Sequence, residues 1–103
     1  MGLVQVALVD ETGRTEQCVN GNTHALDSAL AAVTPENSKC LAYIDPFGDT
    51  VFNQLQMGPF LDEWAALERT LVGDEAQAVG RQVRDLAMRC QVEPHTYLRF
   101  FGD

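Results

Sequence analysis

From Leu3 to Val9 the chain reads LVQVALV, apolar at nearly every position, before the polar cluster Asp10-Glu11-Thr12-Gly13-Arg14. Thr15 to Val19 resumes a short β-prone stretch, so the two segments predict a β-hairpin. After Asn20-Gly21 the period changes. Leu26, Ala29, Leu30 and Val33 recur at helical spacing, with Asn22 or Thr23 placed to cap a helix and Thr34-Pro35 to stop it. Lys39 to Ile44 (KCLAYI) reads as a strand, Asp45-Pro46-Phe47-Gly48-Asp49 as a tight turn, and Thr50 to Asn53 as the return strand of a second hairpin. In that turn proline presets an early dihedral, Gly48 is expected to supply a positive one, and both aspartates are expected to accept from local backbone amides.

Gly58-Pro59 opens the next helix, with proline suited to a first turn and Asp62 and Glu63 near the positive end of the dipole. Phe60, Leu61, Trp64, Leu67 and Leu71 form its apolar stripe, which Val72-Gly73 ends. Asp74 with Gln77 three residues on has the spacing of a capping box for a third helix reaching about Gln91. On it Ala76, Val79, Val83, Leu86, Ala87 and Cys90 share one face. Glu93-Pro94 breaks the chain again, and the aromatic segment Thr96 to Phe101 predicts a final strand. Its alternation places Leu98 and Phe100 toward the helices and Tyr97, Arg99 and Phe101 on the opposite side, over open surface or a partner chain. The order ββαββααβ specifies an α+β fold, one antiparallel sheet of about five strands with helices packed on one face. No repeat or linker divides residues 1–103, so one domain is expected.

Composition narrows the function classes. At 103 residues with 46% apolar and 21% charged side chains, the chain has the make-up of an ordinary globular domain. Its longest apolar run, Ala29 to Val33, is too short to span a bilayer, and the N-terminus lacks the basic region of a signal peptide. A cytoplasmic protein without membrane contact is the expectation. Cys18, Cys40 and Cys90 form no C-x-x-C pair, and read as reduced, mostly buried small hydrophobes rather than as a disulfide framework or zinc site. The net charge is −8, and it is uneven: residues 1–75 hold 12 acidic side chains against 3 basic ones, residues 76–103 hold 3 against 4. Such a field opposes nucleic-acid binding, which needs lysine and arginine on phosphates, and suits a basic protein partner.

Few residues suggest chemistry. Neither His24 nor His95 has a second ligand at metal-binding spacing, and no cysteine sits in a nucleophile signature, so no catalytic residue, metal or cofactor is assigned. Seven residues are instead candidates for partner contact. Asp45 and Asp49 flank the turn; Asn53, Gln54 and Gln56 make an uncharged, amide-rich loop; and because Tyr97, Phe100 and Phe101 together exceed what one strand face buries when its other face is solvated, Tyr97 and Phe101 are left for the outer side. Each also has a plainer structural use, in closing the turn, bonding the loop or packing the core.

The stretch Tyr43 to Asn53 (YIDPFGDTVFN), the following Gln56, the Phe60-Leu61 helix and the ending His95 to Asp103 (HTYLRFFGD) resemble a group of small bacterial proteins of similar length with no assigned activity. In size, acidity and layout the chain is also similar to immunity proteins that neutralise bacterial toxins. That second resemblance implies a non-enzymatic inhibitor whose acidic surface meets a basic toxin domain. Independently of it, the aromatic C-terminal strand suits a protein partner or a homodimer. The competing expectation is a small enzyme or metabolite-binding domain with a pocket near Asn53, Gln56 and Trp64.

Overall fold

The structure is a computed structural model and describes residues 2–103. Strand β1 (Leu3–Asp10) turns back into β2 (Thr15–Cys18) through a loop closed by Asp10, whose Oδ1 accepts from the Thr12 and Arg14 amides at 2.9 Å. Gly13 supplies the left-handed conformation (φ 87°) that this loop needs. A 3-10 turn at Thr23–Leu26, capped by the Asn22 side chain, leads into the one-turn helix α1 (Asp27–Ala31). Strand β3 (Asp49–Phe52), helix α2 (Met57–Glu68), helix α3 (Asp74–Val92) and strand β4 (Thr96–Gly102) follow. The fold is α+β, with three helices and one antiparallel sheet in the order β2-β1-β4-β3.

That order puts the last strand in the middle. Thr96 to Phe101 is not an edge: it pairs with β1 from Leu3↔Gly102 to Asp10↔Thr96 and with β3 from Asp49↔Phe101 to Phe52↔Leu98. Its alternation holds, with Leu98 and Phe100 fully buried toward the helices beside Val6, Leu8 and Phe52. The helices complete this core. Phe60 stacks on Trp64 with ring centroids 5.7 Å apart, Phe100 meets Phe52 edge-on at 5.9 Å, and the indole Nε1 donates to the Gly80 carbonyl at 3.0 Å. Glycine at position 80 leaves room for the chain end of α2, since a Cβ there would lie 2.5 Å from the Leu71 side chain and 3.3 Å from that of Glu68.

Several expectations are corrected. The fifth strand does not form: Lys39 to Ile44 holds only a 3-10 turn at Leu41–Tyr43, so the second hairpin is absent and β3 takes β4 as its partner. The reason is Glu63, whose carboxylate crosses from α2 and accepts from the amides of Lys39, Cys40 and Leu41 at 3.0–3.2 Å and from the Ser38 hydroxyl at 2.5 Å. Amides gathered on one carboxylate cannot serve a strand ladder. Burial alone would push the Glu63 carboxyl up, but these four hydrogen bonds hold it below its ordinary value.

Gly48 does not adopt a positive dihedral; a Cβ there would instead meet the Asp45 carboxylate at 2.9 Å. Asp74 and Gln77 form no capping box. Gly73 (φ 95°) precedes the helix without a side-chain cap, and Gln77 Nε2 donates back to the Leu71 carbonyl at 3.3 Å. Leu61 is only half-buried, Met57 joins Phe60, Trp64 and Leu67 in the core, and α2 ends at Glu68, short of Val72. Cys40 and Cys90 are buried, whereas Cys18 is exposed.

Candidate functional site

The seven candidate residues fall into two groups. Asn53 and Gln56 close on each other as a reciprocal capping box that starts the approach to α2, and Gln54 donates to the Gln91 carbonyl at the end of α3 at 2.8 Å. These amides splice the helices to the sheet. Trp64 is wholly buried, so the trio Asn53, Gln56 and Trp64 does not wall a pocket. Asp45 serves its own turn, with Oδ1 accepting from the Phe47 amide at 2.8 Å.

Asp49, Tyr97 and Phe101 are brought together on the sheet face away from the helices. Register defines this face. Tyr97 sits opposite Val9, Arg99 opposite Ala7 and Val51, and Phe101 opposite Gln5 and Asp49, while Ala7 continues the row to Cys18 on β2. Ala7 and Val9 are buried beneath their taller neighbours, Tyr97 and Phe101 are half-buried, and Val51 is 52% exposed. Among the described residues the helices pack on the Leu98 and Phe100 side, and this opposite face stays open.

Arg99 organises the patch. Its guanidinium lies 4.5 Å from the Phe101 ring centroid and pairs with the Asp49 carboxylate, while its buried Nε meets no acceptor among the described residues. Asp49 therefore answers a guanidinium rather than the backbone amides of its turn. The face thus sets one arginine, paired with Asp49, among apolar side chains. Arg99, Val51, Val9 and Ala7 were not among the candidates drawn from sequence. The signal was available for β1, whose nearly unbroken apolar run departs from the alternation of a strand with one solvated face.

Two shallow clefts lie elsewhere. One, of about 410 Å³, runs between α1 and α2 and is lined by Ala29, Val33, Ala66 and Leu67 with Ser38 and Glu63 at its floor. The other, of about 430 Å³, is walled by Leu30, Val33, Ile44, Pro46 and Phe47, with Asp27 at one end. In the first, the Glu63 carboxylate is occupied by the four donors described above. Asp27 accepts from the Leu3 amide at 3.0 Å and faces His24 Nδ1 at 3.0 Å. The buried thiols are not poised to react. Desolvation pushes Cys40 and Cys90 up, and the nearby Glu63 carboxylate adds to it at Cys40.

Two of the remaining basic residues are engaged in ion pairs. Arg84 pairs with Glu68 at 3.1 Å, and Arg89 with Glu93 at 2.5 Å and Glu16 at 3.6 Å. Asp62, Asp74, Glu75 and Asp85 are exposed on α2 and α3, and among the described residues they form no ion pair. No family model matches the chain, and neither the curated proteins nor the solved structures contain a match to it.

Proposed function

We propose that this chain is a non-enzymatic protein-binding module whose acidic surface meets a basic protein domain, in the manner of an immunity-type inhibitor of a bacterial toxin. The observation that carries the reading is the distribution of unpaired charge. Arg84, Arg89 and Arg99 are paired with acids of the same chain, while among the described residues Asp62, Asp74, Glu75 and Asp85 form no ion pair on the helical layer, where Arg69 and Arg81 also stand; Arg14 and Lys39 lie off that layer. A surplus of this kind speeds and orients encounter with a cationic surface more than it adds affinity.

The test is affinity capture from the source organism followed by binding at two salt concentrations. A basic domain bound at low salt, weakened several-fold at about 0.5 M salt where the Debye length falls to a few ångström, and weakened likewise by D62N/D74N/E75Q/D85N, is the expected result. Recovery of no basic protein, or of one whose binding ignores both salt and the variant, would overturn the reading.

The metabolite-binding alternative moves to the cleft beside Leu30, Ile44 and Phe47, whose apolar walls suit a small apolar ligand. A ligand bound there raises the melting temperature in step with its concentration. A thermal-shift screen silent across such compounds would dispose of it.

A further inference from the structure

We infer that Asn20 is a site of spontaneous covalent modification, where the folded chain loses ammonia through a succinimide and becomes isoaspartate, a substrate for carboxyl-methylating repair enzymes. The chain has four asparagines, and three have their side chains in use. Asn22 Oδ1 accepts from the His24 amide at 3.0 Å, Asn37 Oδ1 from the Thr34 amide at 3.3 Å, and Asn53 Oδ1 from the Gln56 amide at 3.1 Å. Asn20 is exposed, and among the described residues nothing hydrogen-bonds its side chain. It is also the one asparagine followed by glycine.

The surrounding backbone suits the reaction. Gln82 on α3 clasps the Asn20 main chain from both ends, accepting from its amide at 2.8 Å and donating to its carbonyl at 2.7 Å, so the side chain alone is left to move. The Gly21 nitrogen, the group that must attack, donates no hydrogen bond among the described residues. Gly21 holds φ 121°, and a Cβ there would lie 3.0 Å from the Val79 side chain, so position 21 keeps the residue that shields its own nitrogen least.

Water is the only co-reactant. The Gly21 nitrogen gives up its proton and bonds to Asn20 Cγ; the Cγ–Nδ2 bond breaks, and Nδ2 leaves as ammonia with that proton. Water then opens the cyclic imide. Cleavage between the nitrogen and the Asn20 main-chain carbonyl yields isoaspartate, and cleavage between the nitrogen and Cγ yields aspartate. Isoaspartate carries the chain through Cγ, which lengthens the backbone between the points held by Gln82 and Val79 and turns the carbonyl under Gln82 into a free carboxylate.

The test is incubation of the full folded chain in mildly alkaline buffer, beside the same chain unfolded in urea, with products followed by ion exchange and located by peptide mapping. The expected result is a more acidic species with the mass gain of an amide-to-acid exchange at Asn20. It should form within about an order of magnitude of the unfolded rate, because an exposed connection short of hydrogen bonds opens at little cost. With S-adenosylmethionine and a protein isoaspartyl methyltransferase, the aged chain should take up methyl groups. Asn20→Gln, whose longer side chain does not close the same ring, should give neither signal while keeping the wild-type urea transition. A folded chain that stays unchanged overturns the inference, since the Gln82 clasp then protects the site. So does conversion that maps to Asn22, Asn37 or Asn53, that proceeds equally in Asn20→Gln, or that yields a product accepting no methyl group.

Discussion

The two faces of one sheet share their strands, yet they are finished in different ways. On the helix side, Leu98 and Phe100 meet Phe52, Phe60 and Trp64 in a closed aromatic cluster, and the one polar atom drawn in, the indole nitrogen, has its acceptor at Gly80. On the open side, a strand neighbour, Arg99, substitutes for a covering layer by lying over Phe101 and neutralising Asp49. A sheet face therefore need not be polar to stay in water. Long amphipathic side chains can roof it partly, at the cost of leaving apolar surface that another chain can use.

The sharpest break in this comparison is removal of residues 96–103, which takes the shared middle strand from both faces. Pairing with β1 and β3 is lost together with Leu98 and Phe100, so the truncated chain should show no cooperative urea transition by circular dichroism. Trp64→Ala strikes the closed face alone. It should cost about 3–5 kcal/mol in urea titrations, the range for a large aromatic residue removed from a packed core, and wild-type tryptophan emission should be strongly blue-shifted.

Glu63→Gln should cost about 1.5–3 kcal/mol, as expected where hydrogen bonds to a charged acceptor are weakened. The pH dependence follows from the lowered value. The folded carboxyl holds its proton less tightly than the unfolded one, so its stabilisation is complete above the ordinary value of 4.5 and fades as pH falls toward the folded value. The stability gap between wild type and variant should therefore narrow as urea titrations move below that pH.

Gly102→Ala tests the seam where the chain end closes the sheet. A Cβ there would lie 2.5–2.7 Å from backbone atoms of Gly48, Asp45 and Pro46, which cannot swing aside. A loss of about 1–3 kcal/mol is expected by thermal denaturation, whereas Gly48→Ala, which meets only a movable carboxylate, should cost less. The smallest effect belongs to the open face. Asp49→Asn should shift stability in urea titrations by less than about 0.5 kcal/mol, since the ion pair is partly exposed.

Much of this was legible in the chain itself. The buried positions of α3, the stripe of Phe60, Trp64 and Leu67, the β1–β2 hairpin, and the division of β4 into an inner Leu98 and Phe100 and an outer Tyr97 and Phe101 all follow from periodicity, because which side chain faces the core is a local matter of 3.6- or 2-residue repeats. What a segment does with its backbone amides is not local. KCLAYI has the composition of a strand and fails to become one because Glu63, more than twenty residues away, claims its N–H groups. Gly48 looks like a turn glycine, but its space is limited by Asp45. The strand order, the central place of β4, and the joining of Asp49 to Arg99 across fifty residues also depend on long-range pairing. The sequence determined the faces of each element by itself; tertiary structure alone decided which carboxylate would meet which donor, and so which face was left open.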